Sequence, residues 1–180
     1  YIADDMFADV QSDVLTLQSF ATALFNSDYK FNSHPVSYPD PANDGIATAQ
    51  LQHEEGIDPE STETLGLISN MSDVMVSMFN SSDKLDSCFI GTADGLILYV
   101  DDRSGSYVDE NGEIIKTFDV RNRPWYKGAV EKGDVYFTGI ELDTSTGIAG
   151  LVCAAPVYKD GELVAVVGAD IFLTSISDYV

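Results

Sequence analysis

Apolar residues recur at steps of three and four along the start of the chain, at Ile2, Met6, Val10, Val14, Leu17, Ala21 and Leu24, with Asp, Gln, Ser and Thr between them. That period predicts an amphipathic helix of about seven turns within residues 1–27, with one stripe to bury against its own domain or against a partner chain. Pro35, Pro39 and Pro41 then fall among Asn, Ser, Asp and Gly, and the period is lost. Residues 28–58 are read as an irregular excursion holding one short helix around Ile46 to Glu55. Asp58-Pro59-Glu60 has the form of an N-cap, a proline at the first helical position and an acid in the first turn. A helix is expected from there to about Phe79, with Leu65, Ile68, Met71, Val74 or Met75, and Met78 on its core side.

From Asp86 the pattern changes to short apolar runs separated by turn residues. Cys88 to Gly91 and Leu96 to Val100 flank Ala93-Asp94-Gly95 as a hairpin, and Asp109-Glu110-Asn111-Gly112 marks a further turn. A short helix is expected over Arg123 to Glu131, then strands at Val135 to Leu142, Ile148 to Tyr158 and Glu162 to Ile171. Asp143 to Gly147 and Lys159-Asp160-Gly161 are their connections. Two helices followed by a mostly antiparallel sheet with one crossing helix make an α+β domain, residues 59–180 forming its body.

Composition narrows the partners. The chain of 180 residues is 44% hydrophobic, ample for a core, and carries 30 acidic against 9 basic residues. A net charge of -21 repels nucleic acid and anionic headgroups. No apolar run approaches the ~18 residues needed to cross a bilayer, and no leader pattern opens the sequence. Cys88 and Cys153 lie in strand-like runs where a thiol packs as a small hydrophobe, and the sequence leaves open whether they are bonded. His34 and His53 have no cysteine or second histidine at ligand spacing, so no metal and no cofactor are expected. Without a Gly-x-Ser-x-Gly elbow or a phosphate loop, catalysis is confined to a carboxylate pair, Asp143 with Asp170, as in glycoside hydrolysis.

The candidate chemistry lies in Phe118-Asp119-Val120-Arg121-Asn122-Arg123-Pro124-Trp125-Tyr126, followed by Asp143 and by Asp170 in Val166-Val167-Gly168-Ala169-Asp170-Ile171. A guanidinium matches a carboxylate with a planar fork of donors, which suits Arg123 to the acid end of a zwitterion. Asp143 and Asp170 supply acceptors for an ammonium, and Trp125 and Tyr126 supply π-faces. Asp170 sits in an apolar run, where a carboxylate must be paired or protonated. The same residues also have a plain reading, in which Trp125 is a core anchor and Arg123 pairs with Asp143 or Asp170 for structure alone.

In this order and spacing the segment resembles the Cache family of extracytoplasmic sensor domains, and most closely its amino-acid-binding double-Cache group. The resemblance implies a PAS-like module with a five-stranded antiparallel sheet flanked by helices, and a long N-terminal helix continuing a membrane span. It makes Arg123 and Trp125 contacts to a ligand carboxylate, and Tyr126, Asp143 and Asp170 contacts to its amine. The family pattern has tyrosines where this chain has Phe118 and Glu141. Phe118 removes a hydroxyl; Glu141 adds a charge two residues from Asp143, on the same face if the strand alternates, which points to ligands with extra positive charge. The function implied by the resemblance is that of a non-enzymatic, periplasmic or extracellular sensor domain of a histidine kinase, chemoreceptor or cyclic-dinucleotide enzyme, binding a small amino acid or amine. The alternatives are a different small ligand such as a carboxylate, or a ligand-free spacer or dimerisation module. Homodimerisation through the N-terminal helix, membrane attachment through spans outside this sequence, and absence of the membrane-proximal second module complete the expectation.

Overall fold

The computed structural model describes residues 2–142 and 148–172. Helix α1, Ile2–Asn26, carries the stripe read from the sequence. Met6, Val10, Val14, Leu17, Ala21 and Leu24 are all buried, while Asp4, Asp5, Asp9, Ser12 and Ser19 face solvent. The stripe lies on strands β6, Ala149–Lys159, and β7, Glu162–Phe172, of the chain's own sheet. Burying each larger aliphatic side chain there stabilises by about 1.5–3 kcal/mol before entropy is counted.

The segment expected to hold a short helix at Ile46 to Glu55 instead forms an extended strand, β1, Thr48–His53. It pairs antiparallel with β3, Leu96–Asp101, which in turn pairs with β2, Leu85–Thr92. Ala49 packs against the apolar core and Leu51 is buried within it, whereas Gln50 and Gln52 point to the other face and are almost wholly buried. Period-2 alternation is present, but its polar half faces inward, so it reads as loop until its partners are known. The helix expected from Asp58 to Phe79 is likewise interrupted. Asp58 does cap a turn, accepting from the Glu60 N–H at 3.1 Å, but that turn is a single 3-10 turn, Pro59–Ser61. Helix follows as α2, Leu65–Ile68, and α3, Ser72–Ser81. The expected core side chains Leu65, Ile68, Met71 and Met75 are buried all the same.

After α4, Pro124–Lys132, the expected strand at Val135 to Leu142 appears as two short pieces, β4, Tyr136–Phe137, and β5, Glu141–Leu142. Both pair with β6, and residues 138–140 between them leave the ladder. The sheet therefore has seven strands rather than five, in the order β1-β3-β2-β7-β6-β4 with β5 also on β6. All its named pairings are antiparallel.

Cys88 and Cys153 are free and buried, each facing Ala169, one from β2 and one from β6. Two strand spacings separate them, roughly 9.5 Å, beyond the reach of a disulfide. Burial pushes both thiols up to about 12, so neither is a reactive thiolate.

Alternation makes the two faces of the sheet chemically different. One face carries Cys88, Ile90, Leu96, Leu98, Val100, Val167, Ala169 and Ile171 and is covered by the helical stripe of α1 together with α3. The other carries Phe89, Ile97, Tyr99, Ala154 and Val166 and is covered by Trp125, Tyr126 and Ala129 of α4. Gly91 makes that second covering possible: a Cβ there would lie 2.7 Å from Val120 Cγ1 and 2.9 Å from Trp125 Cη2.

Candidate functional site

Beneath α4, the second face of the sheet is not completely filled. A cavity of about 120 Å³ remains, lined from the sheet by Gln52, Ser87, Phe89, Ile97, Tyr99, Asp101 and Asp170. Arg103, Tyr107, Phe118 and Trp125 close it from above. Four adjacent strands thus contribute, each through the residues that alternation turns to this face. The walls are largely aromatic. Phe89 and Trp125 lie with ring centroids 4.5 Å apart, and Tyr99 and Tyr107 meet edge to face at 5.2 Å.

Asp170 sits at the floor. Ser87 Oγ donates to its Oδ2 at 2.8 Å. Desolvation outweighs that bond and pushes the carboxyl up to about 6, with Asp86 and Asp101 adding to the rise and Arg103 opposing it. Asp170 keeps part of its surface because it opens on the cavity, so its raised value reflects enclosure in protein rather than close packing.

The guanidinium in this cavity is that of Arg103, which follows β3. Its Nη1 donates to Asp86 Oδ1, and its Nη2 lies 3.8 Å from Asp101 Oδ2. A break in the β2–β7 register between Leu85 and Ser87 makes Asp86 the extra residue of a bulge beside Arg103, the re-aiming that such bulges produce. Burial works against the Arg103 charge, but Asp86 and Asp101 outweigh it and hold the guanidinium above its ordinary range. Asp86 is nonetheless raised, chiefly by burial and further by the charges of Asp101 and Asp102. Asp101 also accepts from Gln50 Nε2 at 2.9 Å and from the Tyr107 hydroxyl. Tyr107 is raised by burial and then by the Asp101 charge, so it stays a donor. Tyr99 is only 6% exposed, and among the described residues its hydroxyl is one of three buried polar atoms without a hydrogen-bond partner.

Of the residues singled out from sequence, Phe118, Trp125 and Asp170 line this cavity together. Tyr126 is buried next to Trp125, ring centroids 5.9 Å apart, behind the wall rather than on it. Arg123 caps the start of α4 on the outer side, exposed, with its guanidinium 4.4 Å from the centre of the Phe118 ring. It lines an open groove of about 710 Å³ with Glu54, Thr117, Asp119 and Arg121, and Phe118 is the residue common to groove and cavity. Arg121 is the structural cation of this segment, since its Nε donates to Glu54 Oε2 at 2.8 Å and its backbone N–H to Oε1 at 3.0 Å. Glu141 is exposed and borders an adjoining hollow. Asp143 lies outside the described residues.

Sequence reasoning missed Arg103, Asp101, Tyr99 and Gln52. The signal was present in the run Leu96-Ile97-Leu98-Tyr99-Val100-Asp101, where an apolar strand ends in an inward-facing carboxylate. Gln50 and Gln52, alternating with Ala49 and Leu51, belong to the same signal.

The fold recurs in solved sensor domains. A protein described as methyl-accepting chemotaxis protein X matches at 18% identity over 99% of this chain and 61% of its own, with a TM-score of 0.53. The sensory domain of the Campylobacter jejuni chemoreceptor Tlp3 matches at 21% identity over 97% and 60%, with a TM-score of 0.51. The ligand-binding domain of the Pseudomonas aeruginosa amino-acid chemoreceptor PctC matches at 18% identity over 98% and 60%, with a TM-score of 0.50. At these identities the likeness is one of fold, and the chain spans about three fifths of the length of these solved relatives. The family model described as the first PDC sensor domain of methyl-accepting-chemotaxis-protein-like sequences matches residues 66–178. The chain, with its long helix and PAS-like α+β module, belongs to that family of sensor domains.

Proposed function

We propose that this sensor domain is the extracytoplasmic part of a membrane receptor and that the cavity under Trp125 takes the ammonium end of a free amino acid or amine. The observation that carries the reading is Asp170, a desolvated carboxylate facing Trp125, Phe89 and Phe118 across an unfilled cavity beside the unbonded Tyr99 hydroxyl. An ammonium there pairs with the carboxylate and meets aromatic faces, which is the combination that selects cations. Arg123 is assigned the ligand carboxylate. Its guanidinium is already over the Phe118 ring, so a shift of Phe118 would open the cavity toward it. Trp125 forms the wall with Tyr126 packed behind it, Glu141 is assigned to the edge of the site, and Asp143, with Asp170, is assigned to the ligand's amine.

Two fold neighbours support the ligand class, having been solved with GABA and with 4-methylisoleucine bound. A location outside the cytoplasm follows from the same receptor assignment. Among the described residues no helix is long and apolar enough to cross a membrane. The test is a thermal-shift and calorimetric panel of amino acids, amines and small carboxylates. A ligand at 100 times its dissociation constant stabilises by ~2.7 kcal/mol. Amino acids or amines are expected to raise the melting temperature. Stabilisation by carboxylates alone, or by nothing in the panel, overturns the reading.

A further inference from the structure

The cavity under Trp125 does not end at Asp170. Arg103 and Asp170 also border a second hollow of about 230 Å³, walled by Asp86, Glu141, Leu151 and Phe172 among others. The two hollows share Arg103 and Asp170 as a common wall, with aromatic side chains lining one and the acids Asp86 and Glu141 lining the other.

Charge within this space is unbalanced. The described lining holds four carboxylates, those of Asp86, Asp101, Asp170 and Glu141, against the single cation of Arg103. Arg103 is already engaged by Asp86 and Asp101. Asp170 and Glu141 are left without a cationic partner among the described residues lining the two hollows, one at the junction and one at the far rim. Burial makes the charge of Asp170 call for a compensating cation, and Glu141 adds an exposed negative charge on the adjoining hollow. The Tyr99 hydroxyl, buried on the wall of the inner hollow beside Tyr107 and without a close hydrogen bond among the described residues, adds a polar group to the same space. Beside these acids the outer hollow offers the side chains of Leu142 and Phe172, an apolar surface along which a short methylene chain can lie.

We propose that the two hollows form one bipartite site for a ligand with two cationic centres joined by a short apolar chain, as in a basic amino acid or an α,ω-diamine. The first ammonium is held by Asp170, and the second reaches the rim formed by Glu141 and Asp86. The inference rests on the amino-acid or amine reading of the cavity and goes beyond it by assigning what the far end of the ligand carries.

Calorimetric titration of the 180-residue chain with L-lysine, L-norleucine, cadaverine and L-alanine tests it, because norleucine has lysine's methylene chain without its distal charge. Lysine is expected to bind at least about tenfold more tightly than norleucine. Glu141→Gln, at an exposed position, is expected to shrink that ratio at least about threefold. Equal affinities for lysine and norleucine, or a ratio unchanged in Glu141→Gln, overturn the bipartite site. If norleucine or alanine binds and lysine is excluded, this inference fails and the amino-acid reading stands. If none of the four binds, both fail.

Discussion

Replacing Asp170 by asparagine is expected to stabilise the ligand-free domain at neutral pH while removing its capacity for ammonium ligands. A carboxyl whose value moves from 3.8 in the unfolded chain to about 6 in the native domain disfavours its ionised form in that environment. At 1.36 kcal/mol per pH unit the cost at pH 7 is about 3 kcal/mol, and dielectric relaxation around the cavity reduces it to roughly 1–3 kcal/mol. Because the native value is raised, the penalty is full above about pH 6 and disappears as pH falls toward 3.8, where both states are protonated. Asparagine keeps an acceptor for the Ser87 hydroxyl, now 2.8 Å from the carboxylate, and removes the charge. For a domain of this size, each kcal/mol corresponds to roughly 2–4 °C in melting temperature. Urea denaturation and thermal melts at pH 4, 5, 6 and 7 therefore should place Asp170→Asn above the native chain at pH 7, with the two converging near pH 4. Destabilisation by Asp170→Asn at pH 7, or a difference independent of pH, would show that Asp170 is satisfied by Ser87 and Arg103 and is not held poised for a ligand.

Ligand affinity should carry the complementary signature: binding of an ammonium requires ionised Asp170, so calorimetric affinity is expected to fall by up to about tenfold per pH unit below pH 6 and to be flat from 7 to 8. Arg123→Ala is expected to leave stability within about ±0.5 kcal/mol, since the side chain is exposed, while weakening ligands that carry a carboxylate more than amines that lack one. Equal weakening of both classes would assign Arg123 to packing over Phe118 instead. Gly91→Ala should cost about 1–3 kcal/mol by forcing Val120 and the Trp125 ring off the sheet, visible as a shift in fluorescence of this single tryptophan and a lower midpoint in urea.

Elements with a strong local period were legible in the sequence. The α1 stripe, the β2–β3 hairpin, α4 with its first-turn proline and the long β6–β7 pair all follow from alternation, caps and turn residues that act over a few neighbours. Of the site, Phe118, Trp125 and Asp170 were legible as a set, because an aromatic pair and a carboxylate in an apolar strand are conspicuous wherever they meet. Strand β1 was hidden, since Gln50 and Gln52 read as solvent-facing until Asp101 and the Ile115 carbonyl are brought within hydrogen-bond reach at 2.9 and 2.6 Å. Those partners lie 51 and 63 residues away, and no local rule anticipates them. Arg103 was hidden for the same reason: Asp86 meets it through a bulge between β2 and β7, a feature of register between strands. Local pattern thus determined which residues alternate, while strand order and register decided which alternating faces meet and so which charges share the cavity.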